Sequence, residues 1–181
     1  HYRNDAGFDV LTAYTAQVCQ ALGIENGAFH AEVMMTQSGP VLIEIGARVA
    51  GGADPYIIEE CLGHSQIGKL VHAVLHPEVF LQEVRRPRDF FGHRRAAYVF
   101  MISPSTGRVQ SSPEARFIAI DGVISVNYHH LPGDIQQETR DLLSSPGVVI
   151  TIRDNPDLLK QTIAEIRDVE DDFYHSGLKA E

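Results

Sequence analysis

Phe29-His30-Ala31-Glu32-Val33-Met34-Met35-Thr36-Gln37-Ser38-Gly39-Pro40-Val41-Leu42-Ile43-Glu44-Ile45-Gly46-Ala47-Arg48 places two apolar runs on either side of a Ser-Gly turn signal, the pattern of a β-hairpin. With the loop centred on Ser38, Met34 faces Leu42, Glu32 faces Glu44 and His30 faces Gly46. Side chains alternate along a strand, so His30, Glu32, Glu44 and Arg48 share one face. Two carboxylates directly opposite each other repel, and a sheet keeps such a pair only with compensation. A divalent cation is one form of compensation; a Glu32 to Arg48 ion pair beside a packed His30 imidazole is the other that the pattern leaves open. Carboxylate oxygens suit magnesium or manganese, which bridge protein carboxylates to phosphate oxygens. The planar fork of Arg48 is suited to a carboxylate or to developing phosphate charge.

Outward from the hairpin, Val10, Leu11, Tyr14, Val18, Cys19 and Leu22 recur at helical spacing. A helix over Asp9 to Leu22 follows, with Asp9 as N-cap, Gly23 just past its end and one face on the hairpin. After the hairpin, Val49-Ala50-Gly51-Gly52-Ala53 is a small-residue loop that lets backbone approach a ligand. Asp54-Pro55 opens a helix through Ile57, Ile58, Cys61 and Leu62, and Ser65 caps another that His76-Pro77 stops. Glu78 to Arg95, with Arg85, Arg86, Arg88, Arg94 and Arg95, reads as a connection whose arginines form a solvated surface segment, an anion-binding edge being the alternative. Beyond it come a strand over Ala96 to Ile102 turned by Pro104-Ser105-Thr106-Gly107 and returned by Arg108-Val109-Gln110, and a short helix over Pro113 to Ile120 capped by Ser112. A strand over Val123 to Leu131, a last strand over Gly147 to Arg153 and a final helix capped by Asn155-Pro156 complete one sheet with helices on one face. The expected organisation is α+β: residues 1–77 carrying the hairpin, a connection over 78–94, a small α+β sandwich over 95–176 and a tail over 177–181.

Bulk properties narrow the function. The 181 residues, 44% hydrophobic, are enough for a core. A formal charge of −9 and a pI near 5.4 argue against a nucleic-acid or anionic-membrane surface, and no apolar run reaches membrane-span length. Cys19 and Cys61 sit in helical patterns as reduced buried thiols, which fits a cytoplasmic protein. They lack zinc-ligand spacing and an activating loop, and His30-x-Glu32 is not a helical zinc motif.

Gly27-Ala28-Phe29-His30-Ala31-Glu32, followed after the turn by Leu42-Ile43-Glu44-Ile45-Gly46-Ala47-Arg48, resembles the metal-binding hairpin of ATP-grasp enzymes. That superfamily comprises ATP-dependent carboxylate ligases. The resemblance implies that Glu32 and Glu44 hold Mg2+ (or Mn2+) bridging the phosphates of ATP, and that Arg48 touches the acyl phosphate or substrate carboxylate. It also implies that His30, Arg48, Gly51 and Gly52 line the substrate side. It covers residues 8 to 75 well. Many members carry Asn two residues after the second acid, where this chain has Gly46. A small residue there and an α+β subdomain similar to 95–175 point to the L-amino-acid (dipeptide) ligase branch and away from biotin carboxylase.

The fold class implied is therefore the C-terminal part of an ATP-grasp domain (helix, β-hairpin, helices) followed by a small α+β sandwich subdomain. Gripping ATP needs phosphate-contacting lysines from a second lobe, and Lys69, Lys160 and Lys179 stand in two helices and the tail. With no initiator Met and no strand before the first helix, the chain reads as a fragment, inactive alone, whose partners are the N-terminal lobes of the same enzyme. Small carboxylate and amine substrates, amino acids among them, are expected, with no nucleic acid and no membrane; a homo-oligomer is compatible with the sequence. The other readings are a non-catalytic binding or assembly module with a structural acidic hairpin, and a biotin carboxylase-like carboxylase.

Overall fold

The computed structural model describes residues 6–52, 55–84 and 94–179. Asp54, expected as an N-cap, and Arg85, Arg86 and Arg88 lie outside them. Two compact units are formed, His1–Gly92 and His93–Glu181.

In the first unit, helix α1 (Ala6–Ala21) starts earlier than the periodicity suggests, so Asp9 stands in its first turn, where its charge still favours the helix dipole, and not at the cap. Gly23 and Ile24 donate their N–H groups to the Gln20 and Cys19 carbonyls at 3.2 and 2.9 Å, the double closure of a Schellman end. Strands β1 (His30–Thr36) and β2 (Gly39–Gly46) then pair antiparallel. Ala31, Val33, Leu42 and Ile45 are half-buried, and α1 packs on both strands. The Leu42 N–H donates to the Tyr14 hydroxyl at 3.0 Å, which ties β2 to the helix.

Helix α2 (Pro55–Leu62) begins at its proline, and α3 (Gln66–Leu75) has the expected Ser65 cap, whose hydroxyl accepts from the Gly68 N–H at 3.1 Å. The connection expected from Glu78 onward begins instead as a helix, α4 (Pro77–Val84). Proline stops α3 but is equally at home at the first position of the next helix, and Glu78 suits its first turn. Lys69 donates to Glu83 Oε2 at 3.0 Å, and His72 and Phe80 meet edge to face, holding α4 to α3. Cys19 is buried and Cys61 half-buried, neither in a disulfide, so Cys61 is less enclosed than expected.

In the second unit, β3 (Arg95–Phe100), β4 (Gly107–Val109), α5 (Glu114–Ile118), β5 (Val123–Tyr128), β6 (Ile135–Gln136), β7 (Gly147–Arg153), α6 (Pro156–Gly177) and β8 (Leu178–Lys179) form two three-stranded sheets where one was expected, ordered β3-β7-β5 and β6-β4-β8. The return strand expected beside β3 is β4, which pairs with β6 and β8. Its short polar-apolar run fixes strand conformation, not partner. The expected tail thus contributes β8. Asn155 accepts the Asp157 and Leu158 N–H groups at 3.1 and 2.9 Å, the cap its sequence signals. Ser112 accepts from Glu114, while Pro113 occupies the N-cap place of α5.

Val99, Met101, Phe117, Ile120, Val149, Ile166, Phe173 and Tyr174 make the core of this unit. At Gly147 a Cβ would stand 2.3 Å from the Asn127 carbonyl oxygen, so glycine permits the close β5–β7 pairing. Glu170, 3% exposed, accepts the Ile102 N–H at 2.6 Å and the Arg167 guanidinium. Burial pushes its carboxyl up, against the pull of both donors. No described helix is long and apolar enough to cross a membrane.

Candidate active site

The hairpin brings Glu32 opposite Glu44 and His30 opposite Gly46, as the alternation indicates, but by another route. Its turn is Gln37-Ser38, between the partners Thr36 and Gly39, so Met34 faces Val41 and Val33 faces Leu42. That register alone would put Glu32 opposite Ile43. A bulge between Glu32 and Val33 leaves Ile43 over and restores the Glu32–Glu44 pair. The extra residue is what lets a two-residue turn and two facing carboxylates coexist.

His30 fills the space above Gly46. A Cβ on Gly46 would lie 2.6 Å from His30 Cε1 and 2.9 Å from its Nδ1, and 3.6 Å from Arg48 Cγ. His30, Gly46 and Arg48 therefore converge, with His30 Nε2 3.5 Å from Glu44 Oε1. The imidazole is 17% exposed and the Glu44 side chain 59%. Arg48 lies just past β2: its N–H donates to the Gly46 carbonyl at 2.8 Å and its Nη1 to the Val49 carbonyl at 3.0 Å. Among the described residues no ion pair joins Glu32 to Arg48, so that route of compensation is not taken. Gly51 lies beside the guanidinium, its Cβ direction 3.8 Å from Nη1, and Gly52 continues the loop.

The donor set consists of two carboxylates from paired strands, with one imidazole beside Glu44. Among the described residues no three His, Cys, Asp or Glu side chains form a group that could hold a metal by itself. A hard cation would fit the two oxygens only with further ligands from water or a bound phosphate. Sequence reasoning missed Tyr14 and Gln66. Gln66 Oε1 accepts from the Ala50 N–H at 2.8 Å and its Nε2 donates to the Phe29 carbonyl at 2.7 Å, contacts that no periodicity announces.

The packing of His30 on Gly46 carries an expected result. Gly46→Ala should cost about 1–3 kcal/mol of stability by overpacking, and in a His30→Ala background most of that cost should vanish. Urea unfolding of the four members of this cycle measures it; an equal cost in both backgrounds would show that the imidazole is not what Gly46 accommodates.

The fold matches that of solved ligases. The L-amino acid ligase from Bacillus licheniformis superposes with a TM-score of 0.71 at 20% identity, over 92% of this chain and 40% of that one. Phosphoribosylglycinamide synthetase from Anaerococcus prevotii gives 0.65 at 15% identity, over 92% and 42%. N5-carboxyaminoimidazole ribonucleotide synthetase from Thermus thermophilus gives 0.56 at 18%, over 98% and 41%. The chain has the fold of the C-terminal portion of an ATP-grasp enzyme. Its sequence is 83% identical over 178 residues to dapdiamide A synthase from Enterobacter agglomerans, and the chain is a homologue of the C-terminal part of that synthase. The match takes in 98% of this chain and 42% of the synthase, so the chain spans less than half the length of that relative. No family model matches.

Proposed function

We propose that this chain is the metal-and-acceptor wall of an ATP-dependent carboxylate-amine ligase that forms an amide or peptide bond through an acyl phosphate. The observation that carries the reading is the bulge-corrected pairing of Glu32 with Glu44, with Arg48 and His30 converging on Gly46 beside it. Glu32 and Glu44 are the residues that would hold Mg2+ or Mn2+. When bound, the cation neutralises phosphate charge and aligns the transfer.

The protein's own groups do the rest. Arg48 binds the carboxylate to be activated and stabilises charge on the acyl phosphate through its planar fork. His30 and the Gly51-Gly52 loop wall the substrate side, where the glycines let it approach the backbone. The amine then displaces phosphate. N-terminal lobes of the same enzyme supply the ATP grip, the substrates are small carboxylates and amines such as amino acids, and the cytoplasm is the compartment. An assembly module would leave the facing acids and the 83% identity to a synthase without a reason.

The test is phosphate release by the full-length protein with ATP, Mg2+ and pairs of amino acids. Release that requires both a carboxylate and an amine supports the reading; release with neither, or none with any pair, goes against it. In the same assay Arg48→Lys should raise the KM for the carboxylate substrate about tenfold, because a point charge does not reproduce a two-pronged contact. An unchanged KM would remove Arg48 from the substrate.

A further inference from the structure

One amide closes the open end of the hairpin. Phe29 immediately precedes His30, and Ala50 stands between Arg48 and Gly51-Gly52. Gln66 reaches both, taking the Ala50 N–H on its oxygen at 2.8 Å and giving its own N–H to the Phe29 carbonyl at 2.7 Å. The two partners have opposite polarity, so only one orientation of the amide serves both. Ala50 lies beyond the last residue of β2, outside the strand ladder, and this side chain provides its N–H with an acceptor.

The support behind Gln66 is firm. It is the first residue of α3, next to the Ser65 cap, which is 4% exposed. The Ser65 hydroxyl accepts from Gly68 and donates to Glu59 Oε2, each at 3.1 Å, so α2 and α3 are joined at the base of the amide. Arg48, by contrast, has its guanidinium on the neighbouring Val49 carbonyl, and the glycines after it provide no side chains to anchor the loop. The placement of the Arg48 to Gly52 loop relative to the start of β1 therefore depends on Gln66.

We infer that Gln66 is a positioning residue for the carboxylate substrate: it holds the Arg48 to Gly52 loop in register with the His30 end of the hairpin. This rests on the reading of Arg48 as the carboxylate's partner. Gln66 touches no substrate in this scheme. It acts through Arg48 and the backbone of the loop, and it should set affinity for the carboxylate while leaving ATP alone.

The experiment uses the full-length enzyme with Gln66→Leu and Gln66→Glu, reading amide hydrogen exchange at Ala50 and the two substrate constants. Loss of one hydrogen bond and of the loop's anchor should speed Ala50 exchange and raise the carboxylate KM, each about tenfold or more in Gln66→Leu. The KM for ATP should change less than about twofold. Gln66→Glu keeps an acceptor for the Ala50 N–H but turns a carboxylate oxygen toward the Phe29 carbonyl where the donor stood, so Ala50 exchange should fall between those of wild type and Gln66→Leu. A carboxylate KM that stays put while Ala50 exchange accelerates, or KM values for both substrates that rise together, overturns the inference. Arg48→Lys run alongside separates the two failures. If it raises the carboxylate KM while Gln66→Leu does not, only the role of Gln66 is refuted; if Arg48→Lys is silent as well, the reading of the site fails with it.

Discussion

Under the proposed function, Glu44→Ala in the full-length protein is expected to lower ATP-dependent phosphate release by roughly a thousandfold, the scale of several kcal/mol of lost charge stabilisation in phosphoryl transfer. The same substitution should leave the fold intact. Glu32 and Glu44 are direct cross-strand partners, and Glu44 is well exposed. Like charges directly opposite each other on paired strands destabilise a hairpin by up to about 1 kcal/mol. Removing one carboxylate relieves that repulsion and gives up only the His30 contact at 3.5 Å. Metal-free protein should therefore melt at or slightly above the wild-type temperature while turnover collapses. Near-normal turnover would refute the metal assignment, and a lower melting temperature would make Glu44 a structural residue.

Phe117→Ala should cost about 3–5 kcal/mol, the usual range for emptying an aromatic site in a packed core. Phe117 has no exposed surface and lies on α5, only five residues long. A helix that short has no stability of its own in water. It stays because Phe117 packs in the cluster of Val99, Met101, Ile120, Val149, Ile166 and Phe173. Losing the ring opens a cavity and releases the helix together. Urea unfolding followed by circular dichroism, with hydrogen exchange to confine the readout to residues 94–179, measures it. A loss below about 1 kcal/mol would mean that α5 is held by something other than its aromatic anchor.

Much of the local architecture could be read directly. The Gly147 to Arg153 strand, the Ser65 cap of α3 and the Asn155-Pro156 start of α6 stand where their residues place them. Each rests on a short-range cause: apolar continuity, or a side-chain oxygen two or three residues from the N–H it accepts. Errors appear where a residue type serves two purposes. Pro77 ends one helix and begins another, and the Gly107 to Val109 run has strand character without saying which strand it meets. Partner choice depends on residues far along the chain, and β4 finds β6 and β8 instead of β3.

The hairpin divides along the same line. Its sequence by itself determined two apolar strands about a Ser-Gly turn with side chains alternating between faces, because alternation is a local property. The facing of Glu32 with Glu44 and of His30 with Gly46 rests, in the sequence, on a turn centred on Ser38, which the structure replaces with a two-residue turn and a bulge. The tertiary structure decided how that facing is reached and what surrounds it. The bulge leaving out Ile43, the imidazole seated on Gly46 and the Gln66 amide joining Phe29 to Ala50 come from contacts across strands, or over 16 and 37 residues of chain. No periodicity encodes them, because they are set by which backbone groups remain unpaired and which spaces remain empty after the elements have packed.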